Sequence, residues 1–340
     1  MLVTVVIPTC NRKERLLSLL GDLNRQNYPV AAVIVVDSGE APLLPGDLSP
    51  FDKLNIRYLR SEKSVCIQRN TGIRQAETPW IFLCDDDVEV PEGYLRQLVD
   101  YAAGREAAGA VSGVFLEKEG EQWLGSHPVT SPGLLIWKFI FGLGFWGDIQ
   151  CPRYNPVTRW IRNYYQSRGN HIARSGWPVL TDLAGARAVV PVYTLGAALV
   201  RKDWLLQSPF DEVLDRYGIG DNFGVCLGFP GDGVHVVNQA FAYHHKSPEN
   251  RLQRPVQYFR RVLALDYFIR TRKANWRSKR GRLLWSLTGN LLGFLLAGEF
   301  NMTRPAFKSL LLIASGRNPY CSAARKQERR TEPVIYKLEG

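Results

Sequence analysis

Three consecutive carboxylates, Asp85, Asp86 and Asp87, follow an apolar run at residues 80–83. Three negative charges at the end of one strand repel each other unless a nearby cation neutralises them. Carboxylate oxygens are preferred ligands of Mg²⁺ and Mn²⁺, and Mg²⁺ in such sites also binds the phosphates of a nucleotide. A solvated acidic turn is the alternative, and it would be preferred for an isolated run. The position after an apolar strand favours a site for Mg²⁺ or Mn²⁺ with a nucleotide diphosphate.

Two further polar positions could contact a nucleotide. Asp37 follows an apolar run at residues 32–36, where its carboxylate could accept a hydrogen bond from the ring N–H of a base. It could equally open an Asp-Ser-Gly turn. Arg69 and Asn70 lie near the start of a helix-like stretch, where they could face phosphates or ribose, and a surface position is the alternative for both.

The first 120 residues alternate apolar strands with helical segments. Strands are predicted over residues 2–7, 32–36, 54–59 and 80–83, and helices over 16–23, 66–76 and 91–103, the last with Pro91 at its first position. Continuous apolar strands separated by helices are typical of a parallel sheet covered on both faces. Ligands of such sheets bind beyond the carboxyl ends of the strands. Thr9, Asn11, Asp37 and the three consecutive carboxylates all lie at those ends.

The composition is that of a globular protein, with 340 residues, 45% of them hydrophobic and 22% charged. These values exclude a disordered chain and a fibrous repeat. The six cysteines are scattered without a CxxC pair, which predicts reduced thiols in a reducing compartment rather than a zinc site. Residues 1–8 have no basic start and no cleavage site, so they predict a first strand rather than a signal peptide. We therefore expect a cytoplasmic protein.

The net charge of +11 is concentrated in one segment. Residues 251–282 contain eleven Lys and Arg against one acid, Asp266, a net charge of +10. The eleven are Arg251, Arg254, Arg260, Arg261, Arg270, Arg272, Lys273, Arg277, Lys279, Arg280 and Arg282. Such a segment predicts a surface for phosphates or anionic lipid.

Apolar stretches at residues 134–141, 283–297 and 306–314 accompany the basic segment. They are too short for the roughly 30 Å hydrocarbon core of a bilayer, so they favour an interfacial mode on an anionic membrane. The alternative is that the helices pack on the catalytic domain and the basic face is solvated. Nucleic-acid binding is a rival from another class, because aromatic residues are interleaved with the cations. No nucleic-acid motif is present, so no nucleic-acid partner is expected.

Four motifs in order carry a resemblance to a known family. They are VVIPTCNR at residues 5–12, VVDSG at 35–39, QRNTGI at 68–73 and FLCDDDV at 82–88. Together they resemble the family 2 glycosyltransferases, which have the GT-A fold. The similarity resumes with TLGAALVR at 194–201, PFDE at 209–212, GIGDN at 218–222 and the histidines at 244–245. It covers roughly residues 1–250 and is weak between 120 and 188.

The resemblance implies a Rossmann-like α/β fold with a mostly parallel sheet and helices on both faces. The basic and apolar pattern that follows it predicts a C-terminal helical extension. It implies a GT-A catalytic domain at 1–250, with a nucleotide-sugar half at 1–118, an irregular insertion near the acceptor at 119–188 and an acceptor half at 189–250. The helical extension would be 251–325, followed by a polar tail at 326–340.

The resemblance also implies site residues. The donor nucleotide would contact Pro8, Thr9, Asn11, Asp37, Arg69, Asn70, Asp85 and Asp86. Asp87 of the Asp-x-Asp motif would bind the metal, Mg²⁺ or Mn²⁺, and His244 is a candidate second ligand, with a structural role for either histidine as the alternative. Asp221 would be the catalytic base of an inverting reaction. The family usually has Glu-Asp where this chain has Gly220-Asp221, so Glu212 and Asp215 remain alternatives for the base.

The predicted function is an inverting, metal-dependent hexosyltransferase that adds a single sugar. The donor would be a UDP, dTDP or GDP sugar, and the acceptor a glycan or lipid-linked molecule in cell-surface polysaccharide or glycoconjugate synthesis. The Gln-x-x-Arg-Trp motif of processive synthases is absent from the sequence. We expect a peripheral protein on the cytoplasmic face of an anionic membrane. The alternative is a catalytically silent scaffold of the same fold that binds nucleotide sugars.

Overall fold

The computed structural model describes residues 1–214, 216–246, 252–272 and 277–331. The strands are β1 Val3–Thr9, β2 Ala32–Asp37, β3 Ile56–Arg60, β4 Trp80–Cys84, β5 Val88–Glu89, β6 Ala110–Glu119, β7 Gln122–Leu124, β8 Phe145–Trp146, β9 His171–Ile172, β10 Pro178–Leu180, β11 Arg187–Val190, β12 Ala197–Arg201 and β13 Val234–His244. The helices are α1 Lys13–Asn24, α2 Pro45–Leu48, α3 Val65–Gln75, α4 Tyr94–Ala103, α5 Pro132–Phe141, α6 Pro156–Gln166, α7 Lys202–Gln207, α8 Asp221–Cys226, α9 Arg254–Arg272, α10 Arg277–Leu296, α11 Phe300–Ala314 and α12 Pro319–Thr331.

A ten-stranded sheet forms the centre of the fold, and the order of its main path is β11-β13-β6-β12-β4-β1-β2-β3. The four strands β3, β2, β1 and β4 are parallel, and β13 runs parallel to β6. β12 is antiparallel to both of its neighbours, β4 and β6. The predicted α/β class, with a mostly parallel central sheet and a C-terminal helical region, is confirmed.

Hydrophobic clusters lie on both faces of the sheet, as continuous apolar strands predict. β1 and β2 are buried along their whole length. Successive residues of β1 belong to different clusters: Val5 is in the same cluster as Leu16 of α1, and Val6 is in the same cluster as Ile73 of α3. The cluster that contains Val6 also contains Leu263 of α9 and Leu283 of α10. The C-terminal helices therefore share a core with the sheet.

The helix expected from Pro91 begins at Tyr94 instead. Gly93 has a left-handed backbone with φ of 86°, and the Tyr94 N–H donates to the Pro91 carbonyl. Both features belong to a turn, which Pro91 opens before the helix starts.

The region from 119 to 188, which lacks a regular pattern in the sequence, contains two helices and a three-stranded sheet in the order β8-β10-β9. Residues 129–181, which we call the insertion lobe, comprise α5, α6 and this small sheet. The lobe has its own hydrophobic cluster, formed by Val129, Leu135, Phe145, Ile149, Cys151, Ile161, Tyr165 and Val179.

Helices α9 to α12 follow the sheet, and α12 continues to Thr331. Within the described ranges, we find no helix whose length and hydrophobicity would allow it to cross a bilayer.

Candidate active site

A pocket of about 400 Å³ opens at the carboxyl ends of β1 and β4. Its opposite wall is formed by residues 216–222 and by α9, through Gln257 and Arg261. Most of the site residues predicted from the sequence line it, namely Pro8, Thr9, Arg69, Asp85, Asp86, Asp87, Asp221 and His244. Side chains separated by more than 230 positions in the chain thus meet in one cavity.

Arg12 holds the acidic run at the end of β4. Its Nη1 donates to Asp86 Oδ1 at 2.9 Å and to Asp87 Oδ2 at 3.2 Å. The Thr9 hydroxyl donates to the other oxygen of Asp86 at 2.7 Å. Burial raises the pKa of Asp86 to about 6, although the Arg12 charge opposes this shift. Sequence analysis missed Arg12, and its sole signal was its place at the end of the first motif.

Gln68 joins the ends of two strands behind the pocket. Its Nε2 donates to the Thr9 carbonyl at 2.6 Å and to the Val36 carbonyl at 2.7 Å. The side chain is buried, so these bonds satisfy strand-end carbonyls that water does not reach. They fix the first turn of α3 against β1 and β2, and with it the neighbouring Arg69.

Arg69 connects the acidic run to the predicted base. The buried guanidinium donates to Asp85 from one nitrogen and to Asp221 from the other, and it lies 4.9 Å from the centre of the Phe210 ring. Burial lowers the pKa of Arg69, but the two carboxylates outweigh this effect and raise it above its ordinary value. A permanently charged arginine therefore orients two acids from distant parts of the chain, Asp85 after β4 and Asp221 at the start of α8.

Asp221 is buried at the start of α8 and lines the pocket. Burial raises its pKa above the ordinary range of an aspartate, against the opposing attraction of Arg69 and a hydrogen bond from the Asn222 N–H at 2.7 Å. A buried carboxylate with a raised pKa accepts a proton more readily than one in water.

The structure explains why this chain has glycine at position 220, where the family usually has glutamate. Its φ is 96°, a left-handed conformation that non-glycine residues rarely adopt. A Cβ at this position would lie 2.8 Å from the Cβ of Ala264 on α9. The close approach of α9 therefore excludes a larger side chain beside Asp221.

His244 and Asp87 form the pair that could hold a divalent cation. His244 Nε2 lies 3.4 Å from Asp87 Oδ1, and His244 Nδ1 lies 3.1 Å from Glu117 Oε1. Burial lowers the pKa of His244, but its hydrogen bonds to Asp87 and Glu117 prevail and raise it to about 9. At neutral pH this ring is protonated, so a cation would have to displace the Nε2 proton before the imidazole could bind it. A carboxylate with a neutral imidazole is a donor set that suits Mn²⁺. The described residues contain no group of three or more such ligands, so further ligands would have to come from a bound diphosphate or water.

Glu117 was not foreseen as a site residue. In addition to its contact with His244, Glu117 forms a salt bridge through Oε2 with Lys246 Nζ at 2.7 Å. Burial raises the pKa of Glu117, but the hydrogen bonds from His244 and Lys246 lower it to about 2. A permanently ionised Glu117 fixes the orientation of the His244 ring.

Three predicted donor contacts, Asn11, Asp37 and Asn70, lie outside the pocket lining. Asn11 has a φ of 55°, and its Oδ1 accepts from the Glu40 N–H at 2.7 Å. Asp37 is buried and accepts hydrogen bonds from the Tyr58 hydroxyl at 2.6 Å and from Arg60 at 2.8 Å. Its carboxylate is therefore already bonded within the protein.

Asn70 joins α3 to the segment after α7. Its Nδ2 donates to the Phe210 carbonyl at 2.8 Å, and its Oδ1 accepts from the Phe210 N–H at 3.0 Å. The same Nδ2 donates to Glu212, which also lies outside the lining. His245 is near Glu89, at 2.7 Å. Asp215, the other alternative for the base, lies outside the described residues.

Two cations at the pocket are not held by an ion pair or a hydrogen bond in the described parts of the chain. Lys63 and Arg261 line the cavity and are exposed, and neither makes an ion pair or hydrogen bond with a described residue. Arg216, also in the lining, donates to the Tyr217 hydroxyl at 2.9 Å. Burial lowers the pKa of Arg261, and the charge of Glu117 opposes that shift. Positive side chains that form no ion pair, in a pocket that also holds an acidic run, suit a ligand that carries phosphates.

Known proteins resemble the chain in sequence and in structure. Residues 4–168 match the family described as glycosyl transferase family 2. An uncharacterized glycosyltransferase of Bacillus subtilis strain 168, YwdF, is 31% identical over 99 residues, which are 29% of this chain and 37% of that protein. The match thus spans little more than a third of the relative's length.

Solved structures of Staphylococcus aureus TarS, residues 1–349, share the fold. The complex with UDP-GlcNAc has a TM-score of 0.54 and 13% identity, over 97% of this chain and 92% of TarS 1–349. The complex with UDP has a TM-score of 0.51 and 14% identity, over 100% and 95% of the two chains. At identities this low, the likeness shows that the proteins share a fold and nothing more.

Proposed function

The chain belongs to glycosyl transferase family 2 through residues 4–168, and on that premise we propose that it transfers one sugar from a nucleotide diphosphate sugar to a hydroxyl acceptor. The observation that carries the proposal is the pocket, where the acidic run and two cations that form no ion pair with a described residue, Lys63 and Arg261, line one cavity. The TarS structures with UDP and UDP-GlcNAc support a nucleotide-sugar donor. UDP, dTDP and GDP sugars are all candidates.

The diphosphate would lie between Asp87 and α9, with the base and ribose toward Pro8, Thr9 and Asp85. Asp87 and His244 would hold Mn²⁺ or Mg²⁺. A divalent cation bound there supplies positive charge that neutralises the departing diphosphate. Arg12 limits the repulsion within the acidic run before the ligand arrives, because it neutralises part of the charge of Asp86 and Asp87.

Asp221 would act as the base. The acceptor oxygen forms a bond to the anomeric carbon while the bond from that carbon to the diphosphate oxygen breaks, and the bonding electrons leave with the diphosphate. The acceptor proton passes to a carboxylate oxygen of Asp221, and attack opposite the leaving group inverts the anomeric centre. Arg69 holds Asp221 in place for this step. Glu117 would orient His244 in the same way.

The acceptor would be a glycan or a lipid-linked molecule of cell-surface polysaccharide or glycoconjugate synthesis, reached from the cytoplasmic face of a membrane. An extensive exposed apolar surface on α5, α6, α10 and α11 supports this class of acceptor. Single addition, rather than polymerisation, agrees with the absence of the processive motif from the sequence.

A ligand screen tests the proposal. Thermal unfolding of the purified chain should be measured against UDP, dTDP and GDP sugars, with and without Mn²⁺, followed by assays of nucleotide diphosphate release. A ligand at 100 times its Kd stabilises a protein by about 2.7 kcal/mol, so one donor should raise Tm clearly, and more so with Mn²⁺. If no nucleotide sugar raises Tm, the proposal is wrong. Binding without release or transfer in the presence of candidate acceptors would support the silent scaffold instead.

A further inference from the structure

An exposed apolar surface runs from the insertion lobe to the C-terminal helices. Trp160 of α6 is 57% exposed and its ring lies 5.2 Å from that of Phe139 on α5. The next residue, Ile140, is also exposed, and its carbonyl accepts a hydrogen bond from the exposed Trp285 of α10 at 2.8 Å. The Trp285 ring stacks on Phe141 with centroids 4.8 Å apart. The surface is therefore continuous from α6 across α5 to α10.

The same surface extends along both α10 and α11. The exposed apolar positions on α10 include 285, 292 and 296, and those on α11 are 300, 307 and 311. Both sets are spaced by seven and then four residues, so each occupies one face of its helix. Leu296 and Phe300, on either side of the turn between the helices, are 79% and 71% exposed. Contiguous apolar surface of this kind marks a site of interaction.

The insertion lobe is also strongly basic. Residues 129–181 contain six Lys and Arg and one acid, Asp148, a net charge of +5. Arg159 directly precedes Trp160, and Arg153 and Arg174 are exposed as well. None of these three arginines forms an ion pair with a residue that the structure describes. The lobe thus presents cations beside an exposed tryptophan.

The C-terminal basic segment, by contrast, uses many of its cations in contacts within the protein. Arg254 pairs with Glu299 at 3.0 Å, and Arg270 pairs with Asp266 at 3.0 Å. Arg280 donates to the carbonyls of Ile313 and Ala314 at the end of α11, both at 2.6 Å. Arg261 lines the pocket, and Arg260 lies over the Tyr217 ring. Arg251 and Lys273 lie outside the described residues.

We propose that the insertion lobe, together with α10, docks the protein on an anionic lipid bilayer. Trp160, Ile140 and Trp285 enter the interface, while Arg153, Arg159 and Arg174 contact the headgroup phosphates. Tryptophan beside arginine suits an interface that is apolar on one side and charged on the other. This inference rests on the proposed function, since it names the surface that brings a lipid-linked acceptor to the pocket.

Charge favours a bilayer over the other occupants of this surface. A second copy docked through the same lobe would bring two faces of net charge +5 together, which is unfavourable. A nucleic acid would satisfy the arginines but leave Leu296 and Phe300 in water. An anionic bilayer satisfies both, because it offers phosphates and apolar chains at one surface.

Sedimentation with vesicles tests the proposal on the full chain. Vesicles of phosphatidylcholine with about 30% phosphatidylserine would be compared with pure phosphatidylcholine, at low and high salt. Each basic residue near such a surface strengthens binding about fivefold, so removing three should weaken it roughly a hundredfold at low salt. The variant carries Arg153→Gln, Arg159→Gln and Arg174→Gln. The charge-matched control, from other exposed regions, carries Arg15→Gln, Lys53→Gln and Arg187→Gln, and should bind nearly as the parent does.

A variant with two apolar substitutions tests the apolar contribution to vesicle binding. Trp160→Gln with Leu296→Gln should weaken binding at every salt concentration, because the apolar contribution is not screened. Nucleotide binding in solution and Tm should stay at parent values in all these variants, which separates a failure of docking from a failure of the catalytic proposal. The proposal is overturned if the control weakens binding as much as the lobe variant does. It is also overturned if duplex DNA binds as tightly as vesicles, or if Trp160→Gln abolishes a dimer.

Discussion

Replacing Arg261 by glutamine removes a cation that α9 contributes to the pocket. The guanidinium faces the cavity and forms no ion pair or hydrogen bond with a described residue, and the acid whose charge acts on it is Glu117. The substitution therefore breaks no ion pair or hydrogen bond of the described fold. If a diphosphate binds here, Arg261 meets a charge of opposite sign. We expect its loss to weaken the binding of that ligand while the protein remains folded.

The size of the effect follows from the exposure of the side chain. Two unit charges 4 Å apart attract by about 1 kcal/mol in water and by about 4 kcal/mol at the effective dielectric of a protein surface. Arg261 is exposed, so the lower part of that range applies, about 1–2 kcal/mol. Since about 1.4 kcal/mol is a factor of ten, the Kd of the nucleoside diphosphate should rise roughly tenfold.

Calorimetric titration in the presence of Mn²⁺ measures this directly. The nucleoside diphosphate should lose affinity in Arg261→Gln, the monophosphate should lose less, and the nucleoside should lose none. Arg272→Gln, at the other end of α9, is the matched control and should bind as the parent does. An unchanged diphosphate affinity, or an equal loss for the nucleoside, would refute the position assigned to the diphosphate.

Three further substitutions test the remaining assignments. Asp87→Asn should remove the Mn²⁺-dependent part of diphosphate affinity and leave Tm nearly unchanged, and calorimetry with an intact Mn²⁺ effect would contradict the metal assignment. Asp221→Asn should retain donor binding and lower turnover by about a hundredfold or more, whereas an inactive Glu212→Gln with an active Asp221→Asn would move the base. Gly220→Ala should lower the free energy of unfolding by about 1–3 kcal/mol in denaturant titrations, because a positive φ and a clash with Ala264 both oppose a Cβ. Ala264→Gly alone should cost about 1 kcal/mol, because glycine is unfavourable inside a helix. The double variant should therefore lose less than the sum of the two single variants, and additive losses would exclude the clash.

The sheet could be predicted from the sequence because its signals are local. An apolar strand such as 32–36 is continuous, buried on both faces and bounded by polar residues. Recognising the strand in the sequence therefore also locates the residues at its end. For the same reason Thr9 and the acidic run were expected at one edge of the sheet, and they line one pocket.

The partners of those residues could not be predicted because they are distant in the chain. Arg69 and Asp221 are separated by 152 positions, and no local pattern links them. The motif that contains Arg69 also suggested Asn70 as a donor contact, but its amide bonds to the Phe210 backbone. Successive residues of a helix point in different directions, so a motif identifies a segment more reliably than it identifies each side chain.

The number of charges in the sequence also does not show which of them are paired in the folded protein. The sequence shows how many cations lie between 251 and 282, but not which of them face carboxylates, helix ends or the pocket. Arg270 and Arg280 are used inside the fold, and Arg261 faces the pocket. The +5 charge of the insertion lobe went unnoticed because its cations are spread over about 50 residues instead of forming a run.

The close approach of Gly220 and Ala264 ties the loop at 216–222, which carries the proposed base, to a helix that lies beyond the family motifs. A relative with glutamate at the position of Gly220 needs a different helix, or a different helix position, opposite it. Chimeras that exchange catalytic domains between relatives should therefore carry α9 together with the loop at 216–222. A junction placed between them would pair a glutamate with Ala264, and the hybrid would lose the wall of its pocket even if each half came from an active enzyme.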